Sequence, residues 1–256
     1  GAEAETDTDE VIVGSPVGVR NDGELVRAPT GPAERMSVVE VGWSGGPKGK
    51  DRPVGEPFVR IERLTDEGWV TVATDLGLGF VWVVDDGRYT ARHELSRDAE
   101  TGQYRLRVTA EGYDLRTEPF EVVPRTDLRV RGVELRDEGE DTPRLVFRAQ
   151  NPPPDPDVHI RTRRVRPCGG KVDFEVEGTE RTAKWDRDAE GWTADVEGVA
   201  RGDVLTVSGL RDGAGNRSEN PKTVRVGEVD EVRWPPEMEV GGGKPPGPFG
   251  IGTWPI

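Results

Sequence analysis

The stretch "FVRIERLTDEGWVTVAT", Phe58 to Thr74, decides the fold. Apolar and polar residues alternate on both sides of Thr65–Gly68. A period of two places successive side chains on opposite faces of a strand. Polar and glycine residues between two such runs make a β-hairpin.

The same period continues in both directions. Upstream, "RMSVVEVGW" (Arg35–Trp43) reads as the first firm strand, and Ser44–Pro57 as a loop. Downstream come "GFVWVV", "RYTARHEL", "QYRLRVTA" and "EPFEVVP", each closed by turn residues. A second series begins at "DLRVRGVEL" (Asp127–Leu135) and "RLVFRAQ" (Arg144–Gln150). "NPPPDP" (Asn151–Pro156) is a loop, because proline removes ladder donors. "HIRTRRV", "GKVDFEVEG", "RTAKWDRD", "GWTADVEG", "DVLTVSGL" and "KTVRV" read as its remaining strands. Periods near two leave no persuasive helix, so the expected class is all-β, two tandem antiparallel β-sandwiches with extended termini.

The expected organisation is an extended acidic N-terminal segment over 1–35, one sandwich over 36–125, a second over 126–228 and a Pro/Gly-rich tail over 229–256. A short strand candidate lies at Glu10–Gly14, and Trp234, Phe249 and Trp254 are expected to anchor the tail. "GRYTARHELSRDAETGQYRLRV" can be laid against "EGWTADVEGVARGDVLTV", which matches Tyr89 to Trp192 and Gly102 to Gly202. Duplication and convergence on one periodicity both account for that match.

The 256 residues carry a formal net charge of −14. Such a surface argues against nucleic-acid partners, whose phosphates are neutralised by Lys and Arg. No run of about 18 apolar residues offers a membrane span. Cys168 is the single cysteine, so no internal disulfide can form. The first ten residues lack the basic and apolar regions of a signal peptide.

Candidate chemistry is sparse, and no catalytic, cofactor-binding or metal-ligating residue is assigned. His93 and His159 fall in different series, and "TARHEL" lacks the second histidine of a zinc helix. Asp173, Glu175 and Glu177 alternate with Val172, Phe174 and Val176, which is sandwich patterning rather than a glycosidase pair. Cys168 has no nearby histidine to activate it and reads as filler or a loop residue. Arg161–Arg166 ("RTRRVR") is either a salt-bridged strand surface or a contact for an anionic patch. Trp43, Trp69, Trp82, Trp185 and Trp192 are either core residues or a carbohydrate-binding platform.

"GLRDGAGNRSEN" (Gly209–Asn220) raises several readings. It lacks the later ligands of a calcium-binding EF-hand and the Lys-Ser/Thr of a phosphate loop. A single calcium at Asp212 stays open. Asn216-Arg217-Ser218 fits a glycosylation acceptor, relevant only in a eukaryotic secretory setting. The geometric reading is a reversal, with Gly213 and Gly215 at positive φ and Asp212 and Asn216 bonding to nearby backbone.

"PFVRIERLTDEGWVTVATDLGLGFVWVV" followed by "GQYRLRV" resembles the C-terminal immunoglobulin-like region of neutral/alkaline non-lysosomal ceramidases, over about Val38–Val123. "LGLGF" departs from the more charged approach to that family's F-x-W strand, and "RVTAEGY" lacks its His-Phe-Gly. The second series resembles bacterial immunoglobulin-like repeats with "D-x-A-G-N" before the last strand. The resemblance implies an immunoglobulin-like fold and a non-catalytic accessory role, packed against an upstream hydrolase domain. Zinc is implied only for that upstream domain. An apolar patch near Trp43 or under the tail is then expected. The alternative is an independent carbohydrate- or cell-surface-binding module. An extracellular or cell-surface bacterial setting is expected in either case.

Overall fold

The computed structural model describes residues 23–45, 57–74, 80–85, 88–110, 112–140, 143–152 and 166–230, with backbone only for 45 and 80–85. The strand candidate at Glu10–Gly14, His159, Arg161–Val165, Trp234, Phe249 and Trp254 lie outside them.

The first unit has two sheets. One runs β1 (Gly23–Arg27), β3 (Val38–Gly45), β7 (Arg88–Glu94), β6 (Phe80–Asp85). The other runs β2 (Ala33–Glu34), β10 (Phe120–Val123), β8 (Gly102–Ala110), β4 (Phe58–Thr65), β5 (Gly68–Thr74), with β9 (Tyr113–Arg116) also paired to β8. In immunoglobulin lettering these are A-B-E-D facing G-F-C-C′, the variable-type arrangement. Gly68 closes the β4–β5 hairpin at φ 100°, and the Thr65 hydroxyl donates to its carbonyl at 3.0 Å.

Alternation builds the core. Val41, Trp43 and Tyr89 of one sheet meet Ile61, Leu106 and Val108 of the other, all fully buried. Trp43 Nε1 donates to Tyr113 Oη at 3.2 Å. The Tyr104 hydroxyl donates to the carbonyl of Glu100. That is the tyrosine corner of immunoglobulin-like domains, and Leu106 stands two residues on, where antibody domains carry a disulfide cysteine. Apolar packing thus occupies the place of the cross-link.

The second unit is one sheet: β11 (Arg129–Arg136), β12 (Arg144–Gln150), β15 (Gly191–Asp195), β14 (Thr179–Asp186), β13 (Lys171–Val176), β16 (Val204–Arg211), β17 (Lys222–Arg225). The order is A-B-E-D joined to C-F-G. Val133, Leu145, Phe147, Phe174 and Trp192 fill its interior. The β13–β14 hairpin turns on Glu177 and Gly178, both at positive φ, as a two-residue primed turn requires. The chain is therefore all-β, with two tandem immunoglobulin-like units.

Two expectations at the edges change. Residues 23–35 are part of the first sandwich rather than an extended segment: β1 pairs with β3, β2 pairs with β10, and Leu25 and Ala33 pack on the core. Short edge strands with one inward apolar side chain carry little periodicity, which hid them. At the other end, Val229 still pairs with Gly132, and Asp230 N–H donates to Arg131 O at 2.9 Å. A Cβ at Gly132 would lie 2.2 Å from the carbonyl oxygen of Glu228, so this closure needs glycine.

Candidate functional site

A buried polar cluster lies where the two sandwiches meet. Its centre is the β16–β17 loop, "DGAGN", carrying Asp212 and Asn216 at 5% and 0% exposure. The loop closes the last hairpin as its turn residues predict. Gly215 takes φ 90°. Gly213 serves by close approach instead: a Cβ there would stand 3.2 Å from Cys168 O.

Asp212 holds the loop. One carboxylate oxygen accepts from the N–H groups of Ala214 (2.9 Å) and Asn216 (3.0 Å). The other accepts from Cys168 N–H (2.9 Å) and Asn216 Nδ2 (3.0 Å). Four donors saturate a carboxylate. This geometry favours a backbone clasp over a calcium ligand, since a cation would have to displace N–H donors already in place.

Asn216 carries the bond network across the joint. Its Oδ1 accepts from Arg125 N–H at 3.0 Å and from Arg35 Nη1 at 3.3 Å. Its Nδ2 donates to Arg97 O at 2.7 Å. A side-chain amide so enclosed is a hydrogen-bonding hub, not an accessible glycosylation acceptor. Arg35, 6% exposed, also donates from Nε to Ala99 O at 2.7 Å and from Nη1 to Ala214 O. Arg97 Nη1 donates to Arg166 O. Around the connecting residues, Arg217 N–H donates to Arg125 O and Glu219 N–H to Thr126 O.

Met36 adds the apolar contact. It packs against the core of the second sandwich from its place beside β2. Its φ is 63°, the left-handed region that side chains adopt at a cost of about 1–2 kcal/mol. Its N–H donates to Leu95 O at 2.9 Å, fixing that conformation.

A second charged array lies on the outer face of β4, β8 and β9. Arg105 Nε donates to Glu62 at 2.9 Å, and Arg107 makes paired bonds to both oxygens of Asp114 at 2.9 and 2.8 Å. Burial pushes the Asp114 carboxyl up, but hydrogen bonds from Arg107 and Arg116 outweigh it and hold the group below its ordinary value. The Arg105 guanidinium stacks on the Trp69 ring at 4.3 Å.

The other sequence candidates fall apart spatially. Trp43 and Trp192 are fully buried, and Trp185 meets Trp192 edge-on at 5.2 Å. With Trp69 under Arg105, these four rings form no common exposed platform; they are core and stacking residues. The Trp82 side chain lies outside the described residues. Trp43 itself is buried; among the described residues the exposed large apolar side chains are Val26 on β1, which pairs with the Trp43 strand, Leu64, Val70 and Val72 on β4 and β5, and Val204 on β16. His93 sits half-buried on β7. Cys168 is free, and burial pushes its thiol pKa up, which disfavours the thiolate. Among the described residues, no group of three His, Cys, Asp or Glu side chains converges on a metal position. Asp173 accepts from the Thr182 hydroxyl, and Glu175 from that of Ser208, as cross-strand surface pairs. Arg166 stacks on Trp185 at 4.4 Å.

Sequence reading missed Arg35 and Arg97. A single arginine beside a strand carries no periodic signal, and its partners lie up to 181 residues away. The array on β4, β8 and β9 had a signal: arginine recurs at alternate positions in "QYRLRV".

No protein-family model matches the chain, and no curated protein matches it. Among solved structures, it is similar to the titin domains Z1Z2 in complex with telethonin, at 12% identity over 84% of this chain and 98% of that one, with a TM-score of 0.27. A titin I67–I69 variant gives 8% identity over 80% and 65%, with a TM-score of 0.27. Titin domain M7 gives 13% over 43% and 97%, with a TM-score of 0.26. The immunoglobulin-like assignment rests on strand order and not on these similarities.

Proposed function

We propose that this chain is a non-catalytic structural module, two immunoglobulin-like sandwiches held at a fixed angle to carry or brace a neighbouring domain. The observation that supports this best is the Asp212–Asn216 clasp. Flexible tandem domains meet through small polar contacts around a linker. Here buried side chains of both units share one saturated hydrogen-bond network, and Met36 adds apolar contact. An accessory role against a neighbouring domain draws on the exposed edge strand β5. Val70 and Val72 stand 42% and 51% exposed there, and the strand has no charged residue to blunt its edge.

The finer reading is an accessory region of a ceramidase-like amide hydrolase. It rests on the sequence resemblance of Phe58–Thr74, and it carries an extracellular or cell-surface setting with it. Asn216→Ala tests the rigid joint. Calorimetry of the unmodified chain is expected to show one cooperative transition, and the variant two. Two transitions in the unmodified chain sink the fixed-joint reading. A ceramide-amide hydrolysis assay with added zinc is expected to read zero, and turnover by the purified chain overturns the non-catalytic assignment.

A further inference from the structure

Met36 belongs to the first sandwich by chain position and to the second by packing. It stands third in the turn Glu34–Ser37, which the Ser37 N–H closes by donating to Glu34 O at 3.1 Å. The core of the first sandwich has Leu25, Ala33, Ala73 and Ala110 as partly buried support, without Met36. The core of the second has Met36, Ala149, Trp185 and Val199. Among the described residues, Met36 is the one side chain of the first unit in that second group. Its thioether thus serves the joint and is a fully buried core residue of neither sandwich.

The backbone there is under strain. A φ of 63° at the third position of a turn suits glycine, and a side chain adopts it at a cost. Strain of this kind persists only where the surrounding contacts over-determine it. Met36 N–H donates to Leu95 O, and Leu95 N–H donates to Ser37 O, both at 2.9 Å. Packing across the joint supplies the rest. Arg35, the residue before it, sends its guanidinium to Ala99 O, Ala214 O and Asn216 Oδ1. Two adjacent residues of one strained turn therefore carry a polar and an apolar contact to the second unit.

Met36 is only partly buried, so a small oxidant reaches its sulfur from solvent. Leucine packs in the same way, but only a thioether takes up an oxygen atom reversibly. Cys168 competes poorly, since burial pushes its thiol pKa up and the thiolate is the reactive form.

We propose that Met36 is a redox-sensitive latch: oxidation of its thioether by hydrogen peroxide releases the two sandwiches from their fixed angle. This inference rests on the fixed-joint reading. The sulfur lone pair attacks one peroxide oxygen, the S–O bond forms and the O–O bond breaks. The departing hydroxide takes the proton from the transferred oxygen and leaves as water. Sulfur is oxidised to the sulfoxide and the peroxide is reduced. A polar sulfoxide then faces an apolar core, and the packing that offsets the positive φ is lost. Each sandwich keeps its own buried core, and a methionine sulfoxide reductase resets the latch.

The test uses the whole chain with Cys168→Ser and Met238→Leu, which leaves Met36 as its only sulfur. Calorimetry before peroxide checks the joint itself: two transitions at that stage sink the fixed-joint reading and the latch together. From one transition, oxidation verified as one added oxygen in the Met36 peptide is expected to give two. Exchange of the Arg217 and Glu219 amides, which donate to Arg125 O and Thr126 O, is expected to quicken at least about tenfold (~1.4 kcal/mol). Amides of β4 and β13 are expected to stay unchanged, and reductase treatment to restore the single transition. An oxidised chain that keeps one transition and its slow exchange overturns the latch and leaves the fixed joint standing. So does a Met36 that stays unoxidised in peroxide that converts free methionine. Met36→Leu is expected to resist peroxide with its single transition intact; splitting by peroxide in that variant overturns the assignment to Met36. If Met36→Leu is already split, failure of the reductase to reverse the parent chain decides against the latch. Met36→Gln, polar and of similar length, is expected to show two transitions without peroxide, and a single one overturns the proposal.

Discussion

Strand β14 of the second sandwich runs from one layer onto the other. Residues 179–184 pair with β13, and residues 184–186 pair with β15, so Lys184 has neighbours on both sides. In the first sandwich that path is divided between β5, which pairs with β4, and β6, which pairs with β7. Between them the sequence reads "DLGLG", whereas β14 is the unbroken "TERTAKWD". The same B, C, E, F and G frame thus closes as two sheets or as one wrapped sheet. In the second unit an uninterrupted strand carries the ladder around the edge, whereas in the first β5 and β6 belong to different sheets.

The comparison also separates how the interiors are held. Each E strand places an aromatic residue against the B strand, Tyr89 opposite Trp43 and Trp192 opposite Phe147. Trp43 has a hydrogen-bond partner in Tyr113, while the Trp192 indole N–H has none among the described residues. The second core therefore relies on packing alone at this position.

The largest effect is expected from removing those rings. Trp192→Ala should cost about 3–5 kcal/mol by opening a large cavity. Chemical denaturation is expected to show the whole chain destabilised, since the joint couples the units; loss confined to the second sandwich breaks the idea of coupling. Next comes Asp212→Ala, which leaves four donors without their acceptor. It should cost roughly 2–4 kcal/mol and split the thermal transition. A single unsplit transition sharpens the comparison the other way, giving Met36 and Arg35 the dominant role in the joint.

A smaller, one-sided effect is expected from Tyr104→Phe. Losing the corner bond should cost about 1 kcal/mol, read in exchange protection of β8 amides, with those of β16 unchanged. The smallest effect is a pH dependence. Asp114 has a depressed pKa in the folded state, against about 3.9 when unfolded. The unfolded chain then binds more protons as acid is added, so this stabilisation is present above pH ~4 and is lost as pH falls through the lower folded value. Asp114→Asn should flatten that acid limb for the first sandwich. An acid limb unchanged in the variant assigns the dependence to other carboxylates.

Much of this architecture is legible in the alternation of residues. Val59, Ile61, Leu106 and Val108 declare an inward face, and Glu177–Gly178 and Asp66–Gly68 declare turns, because these choices depend on neighbours one to four residues away. The laid-over segments also land on equivalent strands: Tyr89 and Trp192 each stand second in an E strand, and Gly102 and Gly202 each precede or open an F strand at positive φ. Other features are silent. β1 and β2 are too short to show a period, and the Arg35 side chain needs partners from two distant loops.

The sequence by itself determined the β class, the two series of strands and the turn at "DGAGN", since backbone sterics and side-chain alternation are local. Only the tertiary structure decided that this turn is the clasp of the joint. Asp212 and Asn216 can cap their own loop in isolation. Asp212 binds Cys168 once the second sandwich has folded, and Asn216 binds Arg97, Arg125 and Arg35 only once both sandwiches bring those groups within 3.3 Å, where burial makes each bond costly to lose.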